Sequence, residues 1–136
     1  MATVYLAQEN EASGDVKAVF DEIKQRYGLD FVPNIWKAQA QDPSTLRQKW
    51  EAYKKAEDTW GKETINIIGL STAIAMSSPY TIDFHTAMLK QLGYDDKRIE
   101  ALVDHITTHI AGDSYTAGLQ IEPDTMQGIM KKGMAA

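Results

Sequence analysis

The 136-residue sequence contains no cysteine. Structural disulfides, thiolate metal sites and catalysis by a thiol of this chain are therefore all excluded. Basic residues are also in the minority, with 14 lysines and arginines against 19 acidic residues and a formal net charge of −5. This negative balance argues against a nucleic-acid partner and against binding to an anionic membrane surface.

The sequence also lacks a long uninterrupted hydrophobic run. The longest weakly charged stretch, residues 64–82, is broken by Asn66, by serines and by Pro79, so we predict that it is core and not a membrane span. The first residues show no basic segment followed by a continuous apolar one, as a secretory signal would require. We expect a cytoplasmic protein of one domain, residues 1–136, in which residues 1–12 form a loosely packed N-terminal arm.

Apolar residues recur at helical spacing along the chain, and no alternation with a period of two persists. The pattern predicts an all-α fold of about six to eight helices. The predicted helices cover 14–27, 33–41, 44–60, 62–76, 79–92 and 96–111, with a short turn or helix over 113–119 and a last helix beginning at 122–123.

The stretch 62–93 contains the side chains best suited to take part in catalysis. Its first half is apolar almost all round, which predicts a helix buried on most of its faces. Ser78 followed by Pro79 predicts the start of the next helix, with the serine hydroxyl accepting a backbone N–H. In that helix Thr81 and His85 are four residues apart and so share a face, one turn from each other.

Asn66 is a polar amide in the preceding apolar helix, where a buried amide needs a hydrogen-bond partner. Together these residues resemble the alkylhydroperoxidase D-like and carboxymuconolactone decarboxylase family. Its redox members carry a glutamate, a cysteine twelve residues later, then x-x-Cys and x-x-x-His. The same spacing in this chain falls on Asn66, Ser78, Thr81 and His85. Pro79-Tyr80 within the motif and the stretch 28–35 upstream are also similar to the family.

The resemblance implies an AhpD-like helical bundle that assembles as a homo-oligomer, often a trimer or hexamer in this family. It does not carry over the thiol peroxidase reaction, because the hydroxyls of Ser78 and Thr81 form no disulfide and no sulfenic acid. Asn66 also lacks the carboxylate that the family uses to relay a proton. Of the four motif positions, only His85 matches.

Two function classes remain open. In the first, His85 is a general acid or base acting on a small molecule. Ser78, Thr81 and Asn66 complete the catalytic group, and Tyr80 lies in the substrate pocket. In the second, the chain is a non-catalytic oligomeric or ligand-binding module in which the same residues only cap helices or satisfy hydrogen bonds. Neither class requires a cofactor, and we predict none.

Two further arrangements in the sequence place polar side chains at spacings that chemistry can use. His105 and His109 have the i, i+4 spacing that places two imidazoles on one helix face, as some metal sites do. Because no third ligand is fixed by spacing, we predict no metal site. Ser78 and His85 suggest a nucleophile and its base, but Asp83 stands two residues from His85 and so does not face it on a helix.

Overall fold

The computed structural model describes residues 1–124 and 133. Across these residues the chain is helical and has no strand, so the predicted all-α class is confirmed, with six α-helices. The chain divides into two compact units, Met1–Gly93 and Tyr94–Ala136, and each is described by itself. Within the described residues, no helix is both long and apolar enough to cross a membrane. The single domain predicted for residues 1–136 stays a prediction.

The first unit is built from five α-helices that follow a short 3-10 helix at Glu9–Glu11. They are α1 (Gly14–Tyr27), α2 (Asn34–Gln39), α3 (Pro43–Trp60), α4 (Lys62–Ala75) and α5 (Pro79–Gln91). The third helix packs against α1, α2 and α4, and α4 packs most extensively against α5. Only residues 76–78 separate α4 from α5, so the chain doubles back and the two helices lie side by side.

An aromatic core lies between α1, α2 and α3. Trp50 is completely buried, and the rings of Tyr27 and Trp36 meet it edge-on with centroids 5.8 and 5.3 Å away. Such pairs add about 0.5–1.5 kcal/mol each beyond the burial of apolar area. Met88 of α5 belongs to this core, and Phe84 of α5 packs against it. These contacts set the position of α5 on the first three helices.

Several helix ends are set by the chemistry of a single residue. Gly28 ends α1 with φ of 67°, in the left-handed region that a side chain would oppose. The Asp42 carboxylate caps α3 by accepting from the backbone N–H of Ser44. The Asp95 carboxylate accepts from the backbone N–H of Arg98 at the start of the helix in the second unit.

The N-terminal arm is fastened more firmly than predicted. The backbone N–H of Ala7 donates to the carbonyl of Lys37 at 3.2 Å. The Glu9 carboxylate accepts from the backbone N–H of Val32 at 3.0 Å and forms an ion pair with Lys37, also at 3.0 Å. The prediction of loose packing was therefore wrong for residues 7–12. It failed because polarity along the arm does not reveal partners that lie far away in the sequence.

Helix α4 is not buried on most of its faces, so that prediction was wrong. Asn66, Leu70 and Ala73 are buried, whereas Ile68 is 53% exposed and Met76, directly after the helix, is 74% exposed. Hydropathy alone measures how apolar a helix is, and it does not say how many neighbours cover the helix. In the first unit α3 and α5 pack against α4, and an apolar strip remains uncovered.

The second unit contains α6, which runs without a break from Asp96 to Gly118. The predicted end at Ala111, with a separate turn over 113–119, was therefore wrong. Gly112 lies inside the helix, where one glycine costs only about 1 kcal/mol relative to alanine and does not have to end it. The predicted last helix, from 122–123 onward, falls largely outside the described residues.

Candidate functional site

The predicted catalytic residues lie where α4 and α5 meet. Asn66 of α4 is completely buried, and its Oδ1 lies 3.0 Å from Nδ1 of His85 on α5. The other end of the same amide, Nδ2, donates to the backbone carbonyl of Lys62 at 2.8 Å. Both ends of a buried amide are thus satisfied, and His85 is held against α4 by a residue of the motif.

These hydrogen bonds determine the tautomer of His85. Because Nδ2 of Asn66 is used by the Lys62 carbonyl, the amide oxygen faces the imidazole. An oxygen accepts only from an N–H, so the network assigns the ring hydrogen to Nδ1 of His85. Nε2 then carries a lone pair, and among the described residues it has no hydrogen-bond partner. This nitrogen is free to accept a proton.

Burial lowers the pKa of His85 below its ordinary value of 6.5, because the partly buried site disfavours the charged imidazolium. Asn66 hydrogen-bonds to the ring without adding a negative charge that would raise the pKa again. The ring is therefore neutral at pH 7. Since the folded-state pKa is depressed, the contribution of His85 to stability is complete above pH 6.5 and declines as the pH falls below it.

The imidazole lies directly on the backbone of α4 at Gly69. A methyl group at residue 69 would be 2.3 Å from both Cε1 and Nε2 of His85, which is far inside van der Waals contact. Only glycine fits there while the ring keeps its place. Gly69 was missed by the sequence reasoning, although an isolated glycine within an apolar helix is the signal of such a close approach.

Ser78 and Thr81 form a second hydrogen-bonded pair. Thr81 Oγ1 donates to Ser78 Oγ at 2.7 Å. Ser78 stands at the N-cap position of α5 as predicted, but its side chain accepts no hydrogen bond from a backbone N–H of the first turn. The capping role was therefore wrong, because the hydroxyl is engaged by Thr81 instead. Within the described residues no hydrogen bond links this pair to His85 or Asn66.

Tyr80 lies on a different side of α5 from His85. It lines a cavity of about 420 Å³ whose wall also includes Phe84 and Ala87 of the same helix and, between α1 and α2, Leu29 and residues 31–33. Its hydroxyl accepts a hydrogen bond from the backbone N–H of Ile35 at 3.0 Å. The wall of this cavity does not include His85 or the other three motif residues. The predicted substrate-pocket residue and the predicted base therefore line different surfaces.

His105 and His109 lie on exposed turns of α6 in the second unit. Their Nε2 atoms are 3.2 Å apart, so the i, i+4 geometry expected from the sequence is present. Across the described part of the chain, no cluster of three or more histidine or acidic side chains is arranged to hold a metal ion. The pair therefore gives no support to a metal-dependent function.

The fold and the site together define a class of protein: a helical bundle in which a histidine midway along one helix is held by the preceding apolar helix. No family model matches the chain. Its structure is similar to the alkylhydroperoxidase AhpD core from Rhodospirillum rubrum, with a TM-score of 0.79 and 30% sequence identity. The likeness covers 91% of this chain and 95% of that one. The chain belongs to the AhpD-like family.

The chain is also similar to a curated protein, the (R)-2-haloacid dehalogenase of Pseudomonas putida. The two are 30% identical over 106 residues, which is 75% of this chain and 35% of the dehalogenase. The chain thus spans about a third of the length of that relative.

Proposed function

We propose that this chain is a non-redox enzyme of the AhpD-like family in which His85 acts as a general base and activates water. The proposal depends on one observation, the 3.0 Å contact between Asn66 Oδ1 and His85 Nδ1. That contact assigns the ring hydrogen to Nδ1 and leaves the lone pair on Nε2. A neutral imidazole with a free nitrogen is the form that accepts a proton from water.

We further propose a 2-halocarboxylate as the substrate, because a relative of this chain is a haloacid dehalogenase. His85 Nε2 takes a proton from water while the water oxygen forms a bond to C2. The carbon–halogen bond breaks, and its electron pair leaves with the halide. The products are a 2-hydroxycarboxylate, a halide ion and a proton that passes from the imidazolium to solvent. No electrons are exchanged with a cofactor.

Ser78 and Thr81 are proposed to bind the substrate carboxylate. Because Thr81 Oγ1 donates its hydrogen to Ser78 Oγ, the hydroxyl hydrogen of Ser78 is free to donate elsewhere. A carboxylate accepts such a hydrogen bond, and the bond is stronger because the acceptor is charged. Neither hydroxyl has to form a covalent intermediate in this scheme, since water is the nucleophile.

The experiment is a halide-release assay with both enantiomers of 2-chloropropionate across a range of pH. We expect release that increases with pH below 6.5 and is constant above it, because burial lowers the pKa of His85 and only the neutral ring accepts a proton. Asn66→Asp places a negative charge beside the ring and should move the rising limb to higher pH. Absence of halide release from both enantiomers, or a rate indifferent to pH and to Asn66→Asp, would reject the proposal.

A second candidate function, a homo-oligomeric binding module without catalysis, is favoured by a separate observation. Trp60, Ile68 and Met76 are 66%, 53% and 74% exposed. Trp60 is the last residue of α3, Ile68 lies on α4, and Met76 directly follows α4. Large exposed apolar side chains of this kind are typical of surfaces that another protein covers. We propose that copies of this chain associate through these exposed apolar side chains, as a trimer or hexamer.

Light scattering coupled to size-exclusion chromatography tests the oligomer. Ile68→Lys is expected to shift the wild-type assembly to monomers, because it would bury a charge in an apolar contact. Val4→Lys is the matched control, since residue 4 is equally exposed, at 54%, but lies on the N-terminal arm. A monomeric wild type, or equal dissociation by both variants, contradicts the assembly.

A further inference from the structure

The cavity beside Tyr80 is not used by the chemistry proposed for His85. Its volume of about 420 Å³ lies within the range of about 300–1,000 Å³ that is typical of small-molecule sites. Phe84 lies in its wall, and the ring of Phe84 also meets that of His85 edge-on with centroids 5.3 Å apart. The cavity therefore borders the histidine site through one aromatic ring but opens to a different surface.

Three aromatic side chains shape this cavity. Phe31 and Tyr80 line it while remaining 51% and 42% exposed, so their rings stand at its mouth. Phe84 is held deeper, where its ring packs edge-on against Tyr27 with centroids 5.4 Å apart. Apolar side chains make up most of the remaining wall, including Val32 and Met88. Burial of the apolar part of a ligand in this cavity would contribute favourable binding free energy.

Among the residues that the structure describes, two charged side chains line the cavity, and their surroundings differ. The Lys37 ammonium is 3.0 Å from the Glu9 carboxylate, so a negative charge already neutralises it. Asp83 has no ion pair or hydrogen bond among the described residues. Asp83, Tyr80 and Ala87 share one face of α5 by their spacing of three and four residues. The charge left uncompensated at the wall is therefore negative.

We propose that this cavity binds a small organic cation, an ammonium group carried by an apolar body of about the size of one aromatic ring. The ammonium pairs with Asp83 at the wall, and the faces of Phe31 and Tyr80 add cation–π attraction. The body packs against Phe84 and Met88. This site is independent of the proposed hydrolysis, because neither His85 nor Asn66 lines it.

The test compares three probes of nearly the same shape by isothermal titration calorimetry at pH 7. They are 2-phenylethylammonium, the neutral 2-phenylethanol and the anionic phenylacetate. We expect the cation to bind at least tenfold more tightly than the alcohol, and the anion to bind most weakly. Asp83→Asn should reduce the affinity for the cation to that for the alcohol and leave the alcohol unchanged.

Two further variants test whether the probes bind in this cavity and whether the position of the negative charge matters. Asp104→Asn removes the same charge from an exposed position on α6 that does not line the cavity, and it should leave the binding of all three probes unchanged. Ala87→Trp fills the cavity and should abolish binding of both the cation and the alcohol. Circular dichroism verifies that each variant is folded.

Three outcomes would overturn the proposal. Equal affinity for cation and alcohol would remove the role of Asp83, and strongest binding of the anion would assign the site to Lys37 instead. Failure of every probe, together with a change in oligomeric state in Ala87→Trp, would show that a second copy of the chain covers the cavity. Each of these results leaves the halide-release experiment unaffected, so the two proposals fail separately.

Discussion

Replacing His85 with alanine is expected to lower the rate of halide release about 10²- to 10⁴-fold, the usual contribution of a general base. The variant should remain folded, although the buried oxygen of Asn66 then lacks its partner at a cost of about 1–3 kcal/mol. Adding Asn66→Leu to His85→Ala removes that unpaired group. The double variant should regain stability in urea denaturation but none of the activity, which separates the chemical role from the structural one.

Gly69→Ala should produce the same loss of activity although His85 is still present. The added methyl group would lie 2.3 Å from Cε1 and Nε2 of the ring, so the imidazole has to leave its place and its bond to Asn66. Misplacing a catalytic group by about 1 Å can cost about 10²-fold in rate. We also expect a loss of about 1–3 kcal/mol in the free energy of unfolding, as for other overpacked sites.

The sign of the Gly69→Ala effect on stability should reverse once the ring is removed. In a His85→Ala background the clash is absent, and alanine is better than glycine within a helix by about 1 kcal/mol. Gly112→Ala in α6 is the matched control, since a methyl group there meets nothing within 4 Å, and it should stabilise the protein. If Gly69→Ala destabilises both backgrounds equally, the contact between Gly69 and His85 is not what sets the position of the ring.

The helices were predictable because their signals are local. Glycine at residue 28, aspartate at residue 42 and serine-proline at 78–79 each mark a helix boundary through the chemistry of one or two residues. The burial of α4 was not predictable in the same way. Whether Ile68 is covered depends on which helices pack beside it. The hydrophobic pattern of an apolar helix is the same whether two or four neighbours surround it.

In the candidate site, too, some features could be predicted from the sequence and others could not. The family pattern placed Asn66 and His85 in one predicted catalytic group, and the two side chains are in contact. The close approach of Gly69 to the ring involves two helices, so no spacing within one helix reveals it. The position of Tyr80, in contrast, follows from spacing within one helix. Tyr80 is adjacent in sequence to Pro79 and Thr81 but faces another surface, because consecutive helical residues point about 100° apart.

Arg26→Ala is expected to cause the largest loss of stability, about 3–5 kcal/mol, because it leaves a buried carboxylate without its partner. Glu57 is 3% exposed, and its Oε1 lies 3.0 Å from Nε of Arg26. Its other oxygen is buried and has no partner among the described residues. Domains of this size have a total stability of about 5–15 kcal/mol, so the variant should unfold at much lower urea concentrations.

Asp58→Ala provides the control for this prediction, because Asp58 pairs with the same guanidinium at 2.7 Å but is 71% exposed. An exposed pair contributes at most about 1 kcal/mol, so the loss should be small. Replacing Arg26 and Glu57 together by leucine should recover most of the stability, since the buried charge is then gone. Failure of the double variant to recover would show that the guanidinium stabilises α1 and α3 by packing instead. The folded fraction of Arg26→Ala should release halide at the wild-type rate, because Arg26 does not touch His85 or Asn66.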